Sequence, residues 1–399
     1  MVPYRPERIL VHEDAWNDVA TREILSLLDG TPVQTIRDID SLLPALRAAS
    51  DFRTVAKRTL ILARNRGNFM KECPGAGAEI CCNYFVVNYA LNCHLECTYC
   101  VLQAFLNNPA LTVYTNIDDL MNEVREKVGR EPGRTFRIGT GETADSLALD
   151  DILRYSRRLV PFFRSLPNAV LELKTKSDRI DNLRDLDHGG HTILSWSLNP
   201  ARIIRKEELK TASLKERLEA ARQCQKWGFR VGFHFDPLVY YDGWEKEYEE
   251  VVRDLFHHVD PDGVCWISLG CLRFTPHLKD IVRQRFPGST LPYGEFVPGN
   301  HGKLRYFRPI RDEMYTRLRA WIEASAPRVF VYLCMENRAV WECSFGHAPA
   351  SSHELSAAMD ARTGLGGGNG TRGDTPVPRE LSSGPGEEGI RTGLADRCR

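Results

Sequence analysis

The 399-residue chain has no run of about 18 apolar residues, so no membrane-spanning helix is expected. It also lacks a charge surplus: 53 Lys+Arg face 53 Asp+Glu, a formal net charge of zero. General polyanion binding is therefore excluded, and any nucleic-acid contact has to come from a local patch. The opening, MVPYRPERILVHEDAW, lacks the uninterrupted apolar core of a secretory leader, and a cytoplasmic protein is expected. Twelve cysteines are too dilute over this length for a disulfide scaffold. In a reducing compartment they are buried thiols, metal ligands or catalytic groups. What is present is the mixture of a globular enzyme, 42% hydrophobic and 27% charged, with length for two or three domains.

Pattern divides the chain into three parts. Over 1–70, strand-like segments at 8–11 and 32–36 alternate with helical spacing at 14–28 and near 41–48. This predicts a small αβ unit with no chemical motif. Over 71–346, strands at 84–89, 136–139, 170–175, 192–198, 229–235 and 264–269 alternate with helices at 117–128, 146–165, 213–227 and 244–257. Such alternation predicts an α/β fold with a parallel sheet curled into a barrel or partial barrel. Its chemistry belongs at the carboxyl ends of the strands. Residues 347–399 are rich in Gly, Pro, Ser and Arg, have few large apolar residues and show no period. They predict a disordered tail, or a gene end read out of frame.

Residues 92–100 read Asn-Cys-His-Leu-Glu-Cys-Thr-Tyr-Cys. Cys93, Cys97 and Cys100 thus stand in C-x3-C-x2-C spacing in a loop after a strand. Three thiolates so close suit three irons of a [4Fe–4S] cube. The fourth iron stays open to chelate a small molecule through an amine and a carboxylate. A zinc site wants a fourth Cys or His at finger spacing, and His94, between two ligands, is badly placed for that. Upstream, Cys73, Cys81 and Cys82 are either packed thiols or holders of a second metal.

The cysteine motif, with an aromatic before its last cysteine, resembles the radical S-adenosylmethionine (SAM) superfamily. The wider segment, Asn92 to Asn108 and on to Tyr114-Thr115-Asn116, resembles the spore photoproduct lyase family. So do the lead-in from Cys73-Pro74-Gly75 to Cys81-Cys82, Lys174-Thr175-Lys176, Ser195-Trp196-Ser197-Leu198-Asn199, and Asp236-Pro237 through Gly243-Trp244. Together these cover roughly 70–345. The resemblance implies a partial (β/α)6 radical SAM barrel that holds a [4Fe–4S] cluster and SAM, and a lyase that repairs a DNA photoproduct. It implies an external one-electron reductant such as flavodoxin or ferredoxin, and cleavage of SAM to a 5′-deoxyadenosyl radical. It further implies that Tyr99 lies against the adenine and that Glu142, in Gly139-Thr140-Gly141-Glu142, accepts from the SAM ammonium. Lys176 then meets the SAM carboxylate, with Lys174 as its competitor, and Ser197 hydrogen-bonds the same carboxylate.

Two positions depart from the family. Its lyase returns a hydrogen atom to the product radical from a cysteine in the second-strand loop, and a tyrosine follows its third cluster cysteine. Here the loop reads Glu142-Thr143-Ala144-Asp145, and the residue after Cys100 is Val101. Cys271, near the end of the sixth strand, is another candidate thiol or a buried structural one. Two further readings stay open: a radical SAM enzyme acting on a modified base, peptide or small molecule, and a non-enzymatic iron–sulfur protein. Residues 202–230 hold nine Lys/Arg and four Asp/Glu, and residues 303–328 hold seven and three. With Tyr306 and Phe307 beside Arg305 and Arg308, these are candidate DNA contacts.

Overall fold

The computed structural model describes residues 3–365 except 49, 74, 76–78, 300 and 301. Its centre is an eight-stranded sheet. Seven strands run parallel in the order Phe85–Val87, Phe136–Gly139, Ala169–Thr175, Thr192–Ser197, Arg230–Leu238, Val264–Cys271 and Val331–Leu333. Six match the sequence expectation. The seventh comes from the apolar run Val329 to Cys334, which the sequence reading passed over. Met70–Glu72 adds an antiparallel edge beside the first strand. The sheet's two end strands, Met70–Glu72 and Val331–Leu333, do not pair, so the sheet is a partial barrel. The lead-in chain bridges the two ends: the Ile80 amide donates to the Glu336 carbonyl at 3.0 Å.

Helices cover the outside. Leu214–Lys226 starts at a capping box in which Ser213 and Glu216 satisfy each other's backbone amides. Trp244–His258 and Arg308–Ser325 bury Trp244, Tyr248, Met314 and Tyr315. The helix expected over 146–165 is instead two, Asp150–Leu153 and Ser156–Arg164, broken at left-handed Arg154. Asp150 is the physical reason: its carboxylate accepts from both the amide (3.0 Å) and hydroxyl (2.5 Å) of Ser156, starting a new helix there.

The unit at the amino end builds a second, parallel sheet from Val33–Ile36, Arg8–His12 and Thr59–Ala63. Leu111–Tyr114, from beyond residue 70, pairs with Thr59–Ala63 and extends that sheet. One continuous apolar core spans both parts.

The expectation of disorder from 347 onward needs correction. Ser352–Asp360 is a helix capped by the Ser351 hydroxyl on the Glu354 amide, and it buries Leu355 and Met359. Arg137, on the second barrel strand, pairs with Asp360 at 2.6 Å and donates to Ser356 at 2.9 Å. The remainder of that expectation, 366–399, lies outside the described residues. Among the described residues no helix is long and apolar enough to cross a membrane.

Candidate active site

The cysteine loop is held by its backbone from several sides. Asn92, in the left-handed region at φ 69°, donates from its side chain to the Pro109 carbonyl at 2.6 Å. Lys57 donates to the Leu95 carbonyl at 2.5 Å. Glu96–Cys97 pairs antiparallel with Glu208–Leu209. Thr98 bonds Glu207 twice, amide to carbonyl at 2.8 Å and hydroxyl to carboxylate at 2.6 Å. The Gln103 amide reaches the carbonyls of both Cys97 and Thr98. Fixing the main chain this way leaves the thiols to face a ligand.

Those thiols suit a cluster in chemistry and in field. Burial pushes Cys93 up to about 12, with Cys100 adding to it and Lys57 opposing it. Burial likewise pushes Cys97 far up, with Lys176 opposing it. The Leu95 amide also donates to the Cys93 sulfur, as it would to a thiolate. Buried thiols that repel one another as anions, with a lysine beside two of them, fit a cationic iron–sulfur core that would draw off their protons. Among the described residues no three His, Cys, Asp or Glu side chains converge as ligands of one metal ion. A cube places each thiolate on a different iron, so its ligands need not converge so tightly. His94 does not contribute: it is buried against Tyr4, neither ring nitrogen has a hydrogen-bond partner, and burial lowers it to about 3.

Two of the four expected SAM-contact residues lie together. Lys176 sits with its ammonium 5.9 Å from the Tyr99 ring centroid. The Tyr99 hydroxyl donates to Glu208, a buried carboxylate that also takes Asn199 at 2.9 Å and Arg217 at 2.6 Å. Burial works against the Lys176 charge, but Glu208 and Cys97 raise its pKa, so it stays protonated. Asp145 fixes its position, accepting from the Lys176 amide at 2.7 Å and the Thr175 hydroxyl at 2.6 Å. Asp145 also takes the amides of Leu147 and Ala148. Ser197 is buried in the barrel wall, and its carbonyl accepts from Arg217 at 2.8 Å. Glu142 lies at the exposed rim, bonded by the Asn88 side-chain amide and near Lys71 and Cys73.

The glycines before Glu142 make room for the protein itself. A Cβ on Gly139 would lie 1.5 Å from the Tyr84 hydroxyl, and one on Gly141 would lie 2.9 Å from the Lys174 Cβ.

Sequence reading missed the polar centre of the barrel. Glu172 accepts from Tyr84 (2.6 Å), Ser195 (2.5 Å), His234 Nε2 (3.0 Å) and Trp266 Nε1 (3.1 Å). Burial opposes its charge, but His234 and the hydroxyls of Ser195 and Tyr84 outweigh it and hold the carboxyl far below the usual range. The signal was a carboxylate within the apolar run Val170-Leu171-Glu172-Leu173. One layer nearer the strand ends, Arg273 grips Asp236 with two bonds of 3.2 Å. Lys174 lies in the field of Asp236, His234 and Cys73, away from Tyr99.

Thiols also reach this mouth. Cys73 is half-buried within the field of Glu142, Lys174 and Arg273, and burial pushes it up to about 11. Cys334 donates no charge there either, since burial raises it to about 12. Cys81 differs: a hydrogen bond from Cys82 lowers it to about 6. Cys271 points the other way, its sulfur 3.9 Å from Met314 under an outer helix.

The expected basic patches are largely spent internally. Arg305, Arg308, Arg311, Arg317, Arg319 and Arg328 all form ion pairs within the chain, and Arg217 is fully buried on Glu208. Tyr306 is buried, with its hydroxyl accepting from the Tyr240 amide, while Phe307 is exposed. An aromatic cavity of about 260 Å³ opens after the fifth strand, lined by Tyr240, Tyr241 and Phe296 together with Arg202, Lys206, Glu207 and Glu295.

Comparison with known proteins agrees with this architecture. The family model described as spore photoproduct lyase matches residues 4–333. A spore photoproduct lyase from Geobacillus is 28% identical over 253 residues, 62% of this chain and 74% of that protein. One from Bacillus subtilis is 25% identical over 282 residues, 68% and 80%. Among solved structures, a spore photoproduct lyase mutant with bound AdoMet and dinucleoside spore photoproduct superposes with a TM-score of 0.75. It shares 23% identity, over 83% of this chain and all of that one. Another, complexed with dinucleoside spore photoproduct, gives 0.72 at 23% identity with the same coverage.

Proposed function

The chain belongs to the spore photoproduct lyase family, and from that premise we propose that it is a radical SAM lyase acting on spore photoproduct in DNA, with Cys73 as its hydrogen donor. The observation that carries the first part is the loop of Cys93, Cys97 and Cys100 beside Tyr99 and Lys176. When bound, the [4Fe–4S] cluster and SAM supply a 5′-deoxyadenosyl radical by one-electron cleavage of the sulfonium, chemistry that belongs to the cofactors.

The chain's own residues bind and orient. Cys93, Cys97 and Cys100 hold the cluster. Lys176 presents its ammonium to the SAM carboxylate, and Tyr99, tethered through Glu208, lies against the adenine. Ser197 supports the carboxylate end from the wall, and Glu142 takes the ammonium from the rim. Preorganised charges in a water-poor site need little rearrangement as the reaction proceeds.

Hydrogen return has a group in place despite the absence of cysteine from the second-strand loop. Cys73, in the lead-in, lies within the field of Glu142 of that loop and stays a neutral thiol near pH 7, which is the form that gives up a hydrogen atom. Cys81 is drawn toward the thiolate, and Cys271 faces away. The flanking DNA lies along the cavity with Tyr240, Tyr241 and Phe296, where an aromatic ring stacks on a base and Lys206 meets the backbone.

The test is anaerobic reconstitution, then addition of dithionite, SAM and dinucleoside spore photoproduct. About four iron and four sulfide per chain, and 5′-deoxyadenosine formed, are expected. Each of Cys93→Ala, Cys97→Ala and Cys100→Ala should abolish both. Stoichiometric zinc without sulfide would overturn the assignment.

A further inference from the structure

Cleavage of SAM consumes an electron, and the cysteine loop has an outer face as well as an inner one. Behind it lies a cavity of about 230 Å³ lined by Arg47, Arg53, Lys57, His277 and Arg285, with no carboxylate in its wall. Asp51 and Glu96 offset part of this charge by pairing with Arg285 and Lys57. Arg47 and Arg53 bond only carbonyl oxygens, those of Asn107 and Gln103, among the described residues. Neither guanidinium makes an ion pair among the described residues, and Arg53 has the field of Asp51 set against those of Arg285 and Arg47.

The same cavity touches the cluster loop directly. Gln103, in its wall, donates to the carbonyls of Cys97 and Thr98, and Lys57 donates to that of Leu95. Beside it, the residues following Cys100 carry two apolar side chains in solvent, Val101 at 50% and Phe105 at 70% exposure. Exposed apolar side chains beside cations are the composition of a protein–protein contact steered by charge.

We infer that this face docks an acidic one-electron carrier protein of the flavodoxin or ferredoxin class. Such a carrier would deliver its electron to the cluster through the loop that the cavity supports. The carrier is oxidised by one electron and the cluster reduced by one; no bond is made and no proton moves. Close approach matters because electron transfer weakens steeply with distance, and the helix Leu102–Phe105 follows the last cluster cysteine directly. DNA fits this face less well, since phosphate tracks seek polar, wet surfaces. The stacking cavity at Arg202 and Tyr240 shares no lining residue with it. The inference rests on the cluster reading above.

The experiment uses the full chain with a flavodoxin. Its binding affinity is measured by titration, and electron delivery by stopped-flow oxidation of the reduced flavin under anaerobic conditions. The wild type should bind more weakly as salt is added. Arg47→Glu combined with Arg53→Glu should weaken binding and slow delivery about tenfold, while dithionite reduces the cluster at the wild-type rate. Arg253→Glu, an exposed cation on the helix Trp244–His258, should change neither. Single Arg47→Glu, at a solvent-exposed site, gives a smaller change of the same sign if the double variant folds poorly. Unchanged carrier affinity and delivery in the double variant would overturn the docking face. So would selective loss of binding to a DNA duplex with carrier binding intact. A wild type that dithionite cannot reduce would count against the cluster reading itself. The titration would still decide the face: carrier affinity lost in the double variant supports it, and affinity unchanged overturns it.

Discussion

The Tyr99 hydroxyl donates to the carboxylate of Glu208, which is itself paired with Arg217 at 2.6 Å beneath the surface. The ring before the last cluster cysteine is thereby tethered to the chain that follows the fourth barrel strand. The tether orients the ring without holding the cluster. Tyr99→Phe should keep full iron content and cost about 1.5–3 kcal/mol of stability, the worth of one hydrogen bond to a charged group. Iron analysis and thermal melting check this; loss of iron would mean that the hydroxyl shapes the cysteine loop itself.

Lys174 lies within the strand Ala169–Thr175 and Lys176 just past its end, and they serve different layers. Lys176→Ala should leave iron intact and weaken SAM binding about 10–100-fold, the worth of a charge-assisted hydrogen bond. Lys174→Ala should leave SAM affinity near wild type, because its field falls on Asp236 and Cys73. Equilibrium binding of SAM to both variants separates them. The reverse result would move the SAM carboxylate one layer down the barrel.

Glu172 and His234 give the fold a pH signature. The Glu172 pKa is depressed in the folded state, so its stabilisation is complete above the ordinary value of 4.5 and is lost as pH falls toward the folded value. His234 is also depressed, chiefly by burial. Below its ordinary 6.5 the unfolded chain therefore takes up a proton that the buried ring refuses, and stability falls in the same direction. Melting temperature should decline from about pH 6.5 downward, and in His234→Gln the decline between about 6.5 and 4.5 should be shallower, the remainder belonging to His94, which burial also depresses. Glu172→Ala should cost about 3–5 kcal/mol at pH 7, as removal of one member of a buried charged network does. A flat profile between pH 7 and 5 in the wild type would contradict this.

The helix Ser352–Asp360 is tied to the second strand through Arg137. Truncation after Gly346 would uncover the surface that Leu355 and Met359 bury, and would strip Arg137 of its Asp360 partner. The truncated chain should melt several degrees lower, and Arg137→Met within it should recover part of the loss by removing the stranded charge. Equal melting of full and truncated chains would show that the helix contributes nothing.

Much of this architecture was legible. The strands at 136–139 and 170–175 stand out because β-branched and aromatic residues recur there, and the cysteine spacing names its own chemistry. The seventh strand was equally readable at Val329 to Cys334 but lay beyond the expected six. The helix at 352–360 was hidden in a Gly/Pro-rich stretch, although Ser351 and Glu354 form a capping pattern and Leu355 and Met359 share one face. The Glu172 centre and the nearness of Cys73 to Glu142 are tertiary facts. They depend on which strands become neighbours and on how the lead-in crosses the open side, and no local spacing encodes either. The clusters of arginine at 303–328 misled for the same reason: composition counts charges but not the carboxylates that three-dimensional packing sets against them.

The most direct test measures thymine restored from dinucleoside spore photoproduct per SAM consumed by the reconstituted, dithionite-reduced protein. Wild type, Cys73→Ala and Cys271→Ala are compared. The account predicts that the wild type couples repair to SAM cleavage and that Cys271→Ala matches it. Cys73→Ala should still form 5′-deoxyadenosine while its product radical passes into side products. SAM cleavage without repair by the wild type, or undiminished coupled repair by Cys73→Ala, would contradict it.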